Sequence, residues 1–154
     1  MTKLEELENE AYNNNIDIVR CNFNSNRIKG LYCDGTVALN KSLSNTEKTC
    51  VLAEELGHYY TAVGNILCQK DENCRKQEMK GRIVSYNMMV GLNGIIKSYK
   101  HGCRSLYEAS EFLEVTEEFL SEALQYYRSK YGAYTIVDKY VIYFEPSLGV
   151  LELK

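Results

Sequence analysis

The stretch Leu52-Ala53-Glu54-Glu55-Leu56-Gly57-His58 decides how the rest of this chain is read. Just upstream lies Ser44-Asn45-Thr46-Glu47, a capping box in which Ser and Glu satisfy orphan amides at a helix start. The pattern predicts a helix running to about residues 60–63 and ending before Gly64. Side chains four apart on a helix share a face, with Cβ atoms about 5–6 Å apart, so Glu54 and His58 can grip one cation. Glu55 projects about 100° further round the axis, where it reaches a water on that cation without binding the ion. Gly57 leaves room for another element to approach. A third ligand must come from elsewhere, and Glu78, at the start of the next predicted helix, is well placed.

This is the logic of the His-Glu-x-x-His metalloprotease helix, in which the Glu is a general base. Here glutamate stands where the first histidine belongs. Without context, the same residues are a solvated glutamate pair and a histidine that caps or packs. Glu55-x-x-His58 also matches half of a di-iron bundle motif, but His101, the other histidine, has Ser98 three residues before it. The second half of that motif is missing.

Working outward, Lys3 to Asn14 reads as a short helix and Ile16 to Phe23 as a strand. Ile28 to Cys33 and Thr36 to Asn40 flank Asp34-Gly35, a favoured two-residue hairpin turn. After Gly64 a polar loop is expected from Gln69 to Cys74, then one long helix from Arg75 to Lys97, weakened by Gly81, Gly91 and Gly94. Ser105 with Glu108 opens a helix to Leu113, and Thr116 caps another from Glu117 to Tyr131, stopped at Gly132. Tyr140 to Phe144 and Val150 to Leu153 read as two short terminal strands. The order, strands and then helices with a closing strand pair, predicts an α+β fold in a single domain spanning 1–154.

Bulk properties exclude more than they assign. With 154 residues, 45% hydrophobic and 25% charged, the chain can bury a substantial core. A net charge of −3 and a pI near 5.5 argue against a nucleic-acid binder, which needs a basic face. No signal peptide and no apolar run of membrane-spanning length is visible, so the expectation is a cytoplasmic protein with no membrane partner. Six cysteines without a Cys-x-x-Cys pair then read as reduced, packed thiols. Thirteen tyrosines scattered through the predicted elements read as amphipathic packing.

The hairpin "GLYCDGTVALN", the helix "LAEELGHYYT" and the following "KQEMKGRIVSYNMMVG" together resemble the ImmA/IrrE family of metallopeptidases, associated with phage and mobile elements. The helix pair in "SLYEASEFLEVTEEFLSEAL" is also similar to one in many members, so the resemblance covers roughly residues 28–125. It implies a zincin-like fold: a small N-terminal antiparallel sheet, an active-site helix, a following long helix, a C-terminal helix pair and short terminal strands. It further implies a zinc-dependent endopeptidase that cleaves a partner repressor protein. Glu55 would be the general base, and Glu54, His58 and Glu78 the metal ligands. By analogy with zincin-like proteins, Thr36, Val37, Ala38 and Leu39 would receive extended substrate by edge pairing.

The family's helix reads Leu-Ala-His-Glu-Leu-Gly-His, and Glu54 departs from it. Three ligands that include two carboxylates neutralise a divalent ion, so it lowers the pKa of its water less than a two-imidazole site does. An oxygen-rich set also relaxes selectivity toward Mn²⁺. The alternatives are therefore a variant zinc or manganese peptidase and a metal-free pseudo-peptidase that binds a regulator without cutting it. A third reading takes Glu108 to Leu124 as a DNA-binding helix-turn-helix, against which stand Glu117, Glu118 and Glu122 on the would-be recognition helix. His101 is expected near a helix C-terminus, where the dipole favours a cation, and Arg82 is expected to pair with Glu78 one turn away.

Overall fold

A computed structural model describes residues 1–23, 29–61 and 72–154. The expected positions Ile28 and Gln69 to Asp71 lie outside the described residues. The fold is α+β, and the chain divides into two compact units, Met1–Ser85 and Tyr86–Lys154. No helix among the described residues is long and apolar enough to cross a membrane.

In the first unit, helix α1 (Lys3–Asn13) is capped by Thr2, whose hydroxyl accepts from the Glu5 amide at 3.2 Å. Strand β1 (Asp17–Cys21) follows, then the hairpin of β2 (Gly30–Cys33) and β3 (Thr36–Asn40). Asp34 and Gly35 both take positive φ (47° and 77°), the conformation expected of a two-residue hairpin turn. The sheet order is β1-β3-β2, antiparallel within the hairpin and parallel between β1 and β3. The parallel pairing is possible because the chain between β1 and β3 is long enough to return β3 to β1 in the same sense.

Helix α2 (Asn45–Thr61) carries the stretch singled out in the sequence. Its capping box closes both ways, with Ser44 N donating to Glu47 at 3.1 Å and Glu47 N donating to Ser44 Oγ at 3.2 Å. Val51, Leu52, Ala53 and Leu56 are buried on it, and Val37 and Leu39 of β3 are buried beneath. Gly30 of β2 lies so near that a Cβ there would come within 2.6 Å of Val51 Cγ1. One face of α2 is thus committed to the sheet, which fixes where Glu54, Glu55 and His58 can project.

The single long helix expected from Arg75 to Lys97 is two helices, α3 (Glu72–Met89) and α4 (Gly91–His101). Gly91 adopts φ 63°, and its amide, released from the helical ladder, donates to the Tyr127 hydroxyl at 3.1 Å. That hydroxyl donates in turn to Asn87 at 2.9 Å, and burial pushes its pKa well above the ordinary tyrosine value. A helical pattern that continues through a break is invisible to periodicity when the residue holding the break lies 36 positions away.

In the second unit, α5 (Leu106–Leu113) and α6 (Glu117–Tyr131) begin at the caps Ser105 and Thr116. Phe119, Leu120, Ala123 and Tyr127 are buried on α6, with Tyr86 and Phe119 edge to face at 5.4 Å. The closing sheet has three strands rather than two: β4 (Tyr134–Val137), β5 (Tyr140–Tyr143) and β6 (Gly149–Glu152), all antiparallel. The additional strand is β4, whose Thr135, Ile136 and Val137 are β-branched, and Asp138 with φ 53° helps turn it back onto β5.

Candidate metal centre

The site is built on α2 where α3 crosses it. Gly57 and Gly81 set the distance: a Cβ on Gly57 would strike the Gly81 carbonyl oxygen, and one on Gly81 would strike His58. Even the His58 backbone nitrogen would lie 3.1 Å from a Gly81 Cβ. Two helices that pass backbone against backbone can do so only with glycine at the crossing. Glu78 stands one turn before Gly81 and Arg82 one residue after it. Past the crossing, Gln77 Nε2 donates to the Thr61 carbonyl at 3.2 Å and ties α3 to the described end of α2.

His58 is the centre of the cluster. Its Nδ1 lies 3.6 Å from a Glu55 carboxylate oxygen, and the Glu55 side chain is only 13% exposed. Its Nε2 is buried and has no hydrogen-bond partner among the described residues. An orphaned imidazole nitrogen costs about 1–3 kcal/mol, so it calls for a ligand or a bound group. The Glu55 carboxylate on Nδ1 raises the His58 pKa above its usual 6.5, against the opposing effect of burial. The charges of Glu55, Glu54 and Glu78 add to that rise, so all three carboxylates act on this ring.

Glu78 is more loosely held. Its side chain is 55% exposed, and Arg82 Nη2 approaches its Oε1 at 3.4 Å, the pairing expected from their spacing. Among the described residues no group of three or more His, Cys, Asp or Glu side chains is drawn together closely enough to hold an ion. The donor chemistry fits a divalent cation: one orphaned, buried imidazole nitrogen in the field of three carboxylates. Of the carboxylates, however, Glu55 faces Nδ1 rather than Nε2, and Glu78 is paired with Arg82.

The strand Thr36 to Leu39 requires a correction. It is the middle strand of its sheet, paired to β1 along one side and to β2 along the other. Its backbone groups are taken, so it has no edge to offer an extended peptide. The outer edge of β2 has no strand partner among the described residues. Tyr32 of β2 meets Tyr59 of α2 with ring centroids 6.1 Å apart, edge to face, so β2 runs beside the helix that carries His58. The signal for this was the alternation in Gly30-Leu31-Tyr32, which sends Gly30 and Tyr32 to the helix face and Leu31 to solvent.

Away from this centre, His101 is exposed at the end of α4 and packs on Phe112, ring centroids 4.7 Å apart. The first turn of α6 presents exposed Glu117 and Glu118. A family model described as the IrrE N-terminal-like domain, a peptidase family, matches residues 12–130. No curated protein and no solved structure matches the chain.

Proposed function

The chain belongs to the IrrE N-terminal-like domain family of peptidases, and from that premise we propose that it is a metal-dependent endopeptidase that cleaves a partner protein, a repressor. Glu54, His58 and Glu78 hold the ion in this reading, and Glu55 is the general base. The observation that carries it is the buried His58 Nε2, which has no partner among the described residues while Nδ1 faces the Glu55 carboxylate at 3.6 Å. A carboxylate on one ring nitrogen fixes the tautomer and leaves the other free to bind a cation. When bound, zinc or manganese supplies Lewis acidity toward a substrate carbonyl and toward water. Glu55 leaves Nδ1 to take a proton from the attacking water and passes it to the departing amine. An extended stretch of the substrate lies along the outer edge of β2, in place of the enclosed β3. The family match crosses the division at residue 85, which supports 1–154 as one working domain. We place it in the cytoplasm, where its six cysteines would remain reduced thiols.

A second reading, a pseudo-peptidase that binds its partner without cutting, is favoured by the pairing of Glu55 with His58 and of Glu78 with Arg82. Both carboxylates already have a partner on the chain itself. Elemental analysis and cleavage of the cognate repressor separate the two. The peptidase reading expects stoichiometric zinc that Glu78→Ala loses, and a Glu55→Gln variant that keeps zinc and no longer cleaves. Unchanged cleavage by Glu55→Gln would remove the mechanism. Wild-type protein that stays empty under zinc titration, yet still binds the repressor, would establish the pseudo-peptidase.

A further inference from the structure

The second unit contains a cavity of about 490 Å³, within the range of roughly 300–1,000 Å³ typical of small-molecule sites. Its walls come from α4, α5, α6 and the segment entering β6, and its interior is largely aliphatic: Ile95, Leu106, Ala109, Leu124, Leu148 and Val150. Polar lining comes from Ser98 and Tyr99 of α4, from Ser147, and from the link between α4 and α5, where Cys103, Arg104 and Ser105 stand together.

Arg104 is exposed and is held by three contacts, none of them to a carboxylate. Its Nη1 donates to the Tyr99 carbonyl at 3.2 Å and to the Cys103 carbonyl at 2.9 Å. Its guanidinium lies 4.7 Å from the centroid of the Tyr99 ring. No carboxylate among the described residues forms an ion pair with it. Glu108, the nearest acidic residue in sequence, is turned to the capping box, where Ser105 Oγ donates to it at 3.3 Å. The Ser105 hydroxyl also accepts from the Glu108 amide at 3.1 Å, so it is spoken for. What remains is a largely aliphatic cavity with a held guanidinium, exposed to solvent, among its lining residues.

We propose that this cavity is a binding site for a small amphiphilic carboxylate, an acid with an aliphatic tail. The tail fills the aliphatic interior, and the carboxylate meets the Arg104 guanidinium. The tail gains from leaving water over the whole apolar lining. The head gains because Arg104 is already held, so little side-chain freedom is lost on binding. A neutral head forgoes a charge-assisted hydrogen bond, worth about 1.5–3 kcal/mol or roughly tenfold to a hundredfold in affinity. A cationic head is repelled. The site is carried by residues of the second unit alone and does not depend on metal at His58.

The test uses the full chain with decanoate, decanol and decyltrimethylammonium as probes, by titration calorimetry below micellar concentration. Cys103 provides a second readout, since alkylation there can be mapped by mass spectrometry. Decanoate is expected to bind one to one, about tenfold or more tighter than decanol, with no binding of the ammonium. Saturating decanoate is expected to slow alkylation of Cys103 while leaving that of Cys33, an exposed thiol in the first unit, unchanged. In Arg104→Met, decanoate should lose its advantage over decanol. Equal binding of the two probes by the wild type, an undiminished preference in Arg104→Met, or Cys103 alkylated at the same rate with and without decanoate would each overturn the proposal. Should Arg104→Met fail to fold, the wild-type comparison and the Cys103 protection decide the matter.

Discussion

Replacing Gly57 with alanine tests the helix crossing on which the candidate site depends. Alanine is favoured over glycine inside a helix by about 1 kcal/mol, so the substitution taken locally should stabilise α2. The crossing opposes it: the new Cβ would strike the Gly81 carbonyl oxygen, and the Gly81 carbonyl carbon would lie 3.1 Å away and the Ser85 amide nitrogen 3.4 Å. These are backbone atoms, so no rotamer change relieves the overlap, and α2 and α3 must separate. Overpacking of this kind costs about 1–3 kcal/mol, occasionally more, and a rigid obstacle places it at the upper end. Net destabilisation is expected at about 2 kcal/mol, a fall of roughly 4–8 °C in melting temperature for a chain of this size. Gly94→Ala is the matched control. It makes the same change inside α4, where, outside the helix's own backbone and among the described residues, a new Cβ would meet Leu113 Cδ2 at 3.3 Å, the end of a flexible side chain. It is expected to be neutral or mildly stabilising. Guanidinium unfolding followed by far-UV circular dichroism, with alkylation of the buried Cys50 as a local probe on α2, reads both variants. Gly57→Ala that melts with or above the wild type would refute the close crossing and the placement of Glu78 that follows from it.

Three further outcomes follow from other parts of the molecule. Glu54→His restores the family's two-histidine helix, and zinc affinity by calorimetry is expected to rise about tenfold or more; an unchanged affinity would mean position 54 does not touch the ion. Tyr60 donates to Glu10 at 2.5 Å, and burial with this bond raises its pKa from 10.0 to about 12. Its stabilising contribution should therefore be complete below pH 10 and lost as pH rises toward 12. In an absorbance titration, Tyr60→Phe should remove one late-ionising phenol, and loss of an ordinary one instead would contradict the bond. Thr116→Ala removes the hydroxyl that accepts from the Phe119 amide at 3.0 Å, and should cost about 1 kcal/mol in denaturant midpoint measurements. No measurable loss would show that α6 does not need its cap.

The sequence made legible whatever is decided within a few residues. The capping boxes at Ser44 and Ser105 and the Thr116 cap are local exchanges between one side chain and an amide three residues on, and each stands where the pattern put it. The Asp34-Gly35 turn is equally local, because positive φ at two successive positions is a property of those residue types. What escaped depends on partners distant in the chain. The break at Gly91 is held by Tyr127, and the place of β3 at the centre of its sheet is decided by β1, which pairs parallel to it. Strand β4 was missed for a different reason. Tyr134 and Ile136 are exposed and Thr135 and Val137 half-buried, so the segment lacks the apolar alternation that marks a strand packed on a core.

The helical spacing that proposes the candidate site names its residues without fixing their arrangement, and the difference lies in Glu54. In a helix whose metal residues are two histidines, helical spacing alone aims two neutral donors at one point, and the Glu between them is left to handle protons. Glutamate at position 54 changes that balance, because the charges of three carboxylates now act on one imidazole. Glu55 lies against Nδ1 and Glu78 against Arg82, each answering its charge with what the chain supplies. A divalent ion at Nε2 would have to outcompete both the proton on His58 and the guanidinium of Arg82. Charge therefore couples metal binding to acidity here: proton uptake by His58 competes directly with the ion for the same carboxylate field. The spacing Glu54-Glu55-x-x-His58 states which atoms take part in that contest, and only the crossing of Gly57 on Gly81 states that Glu78 joins it.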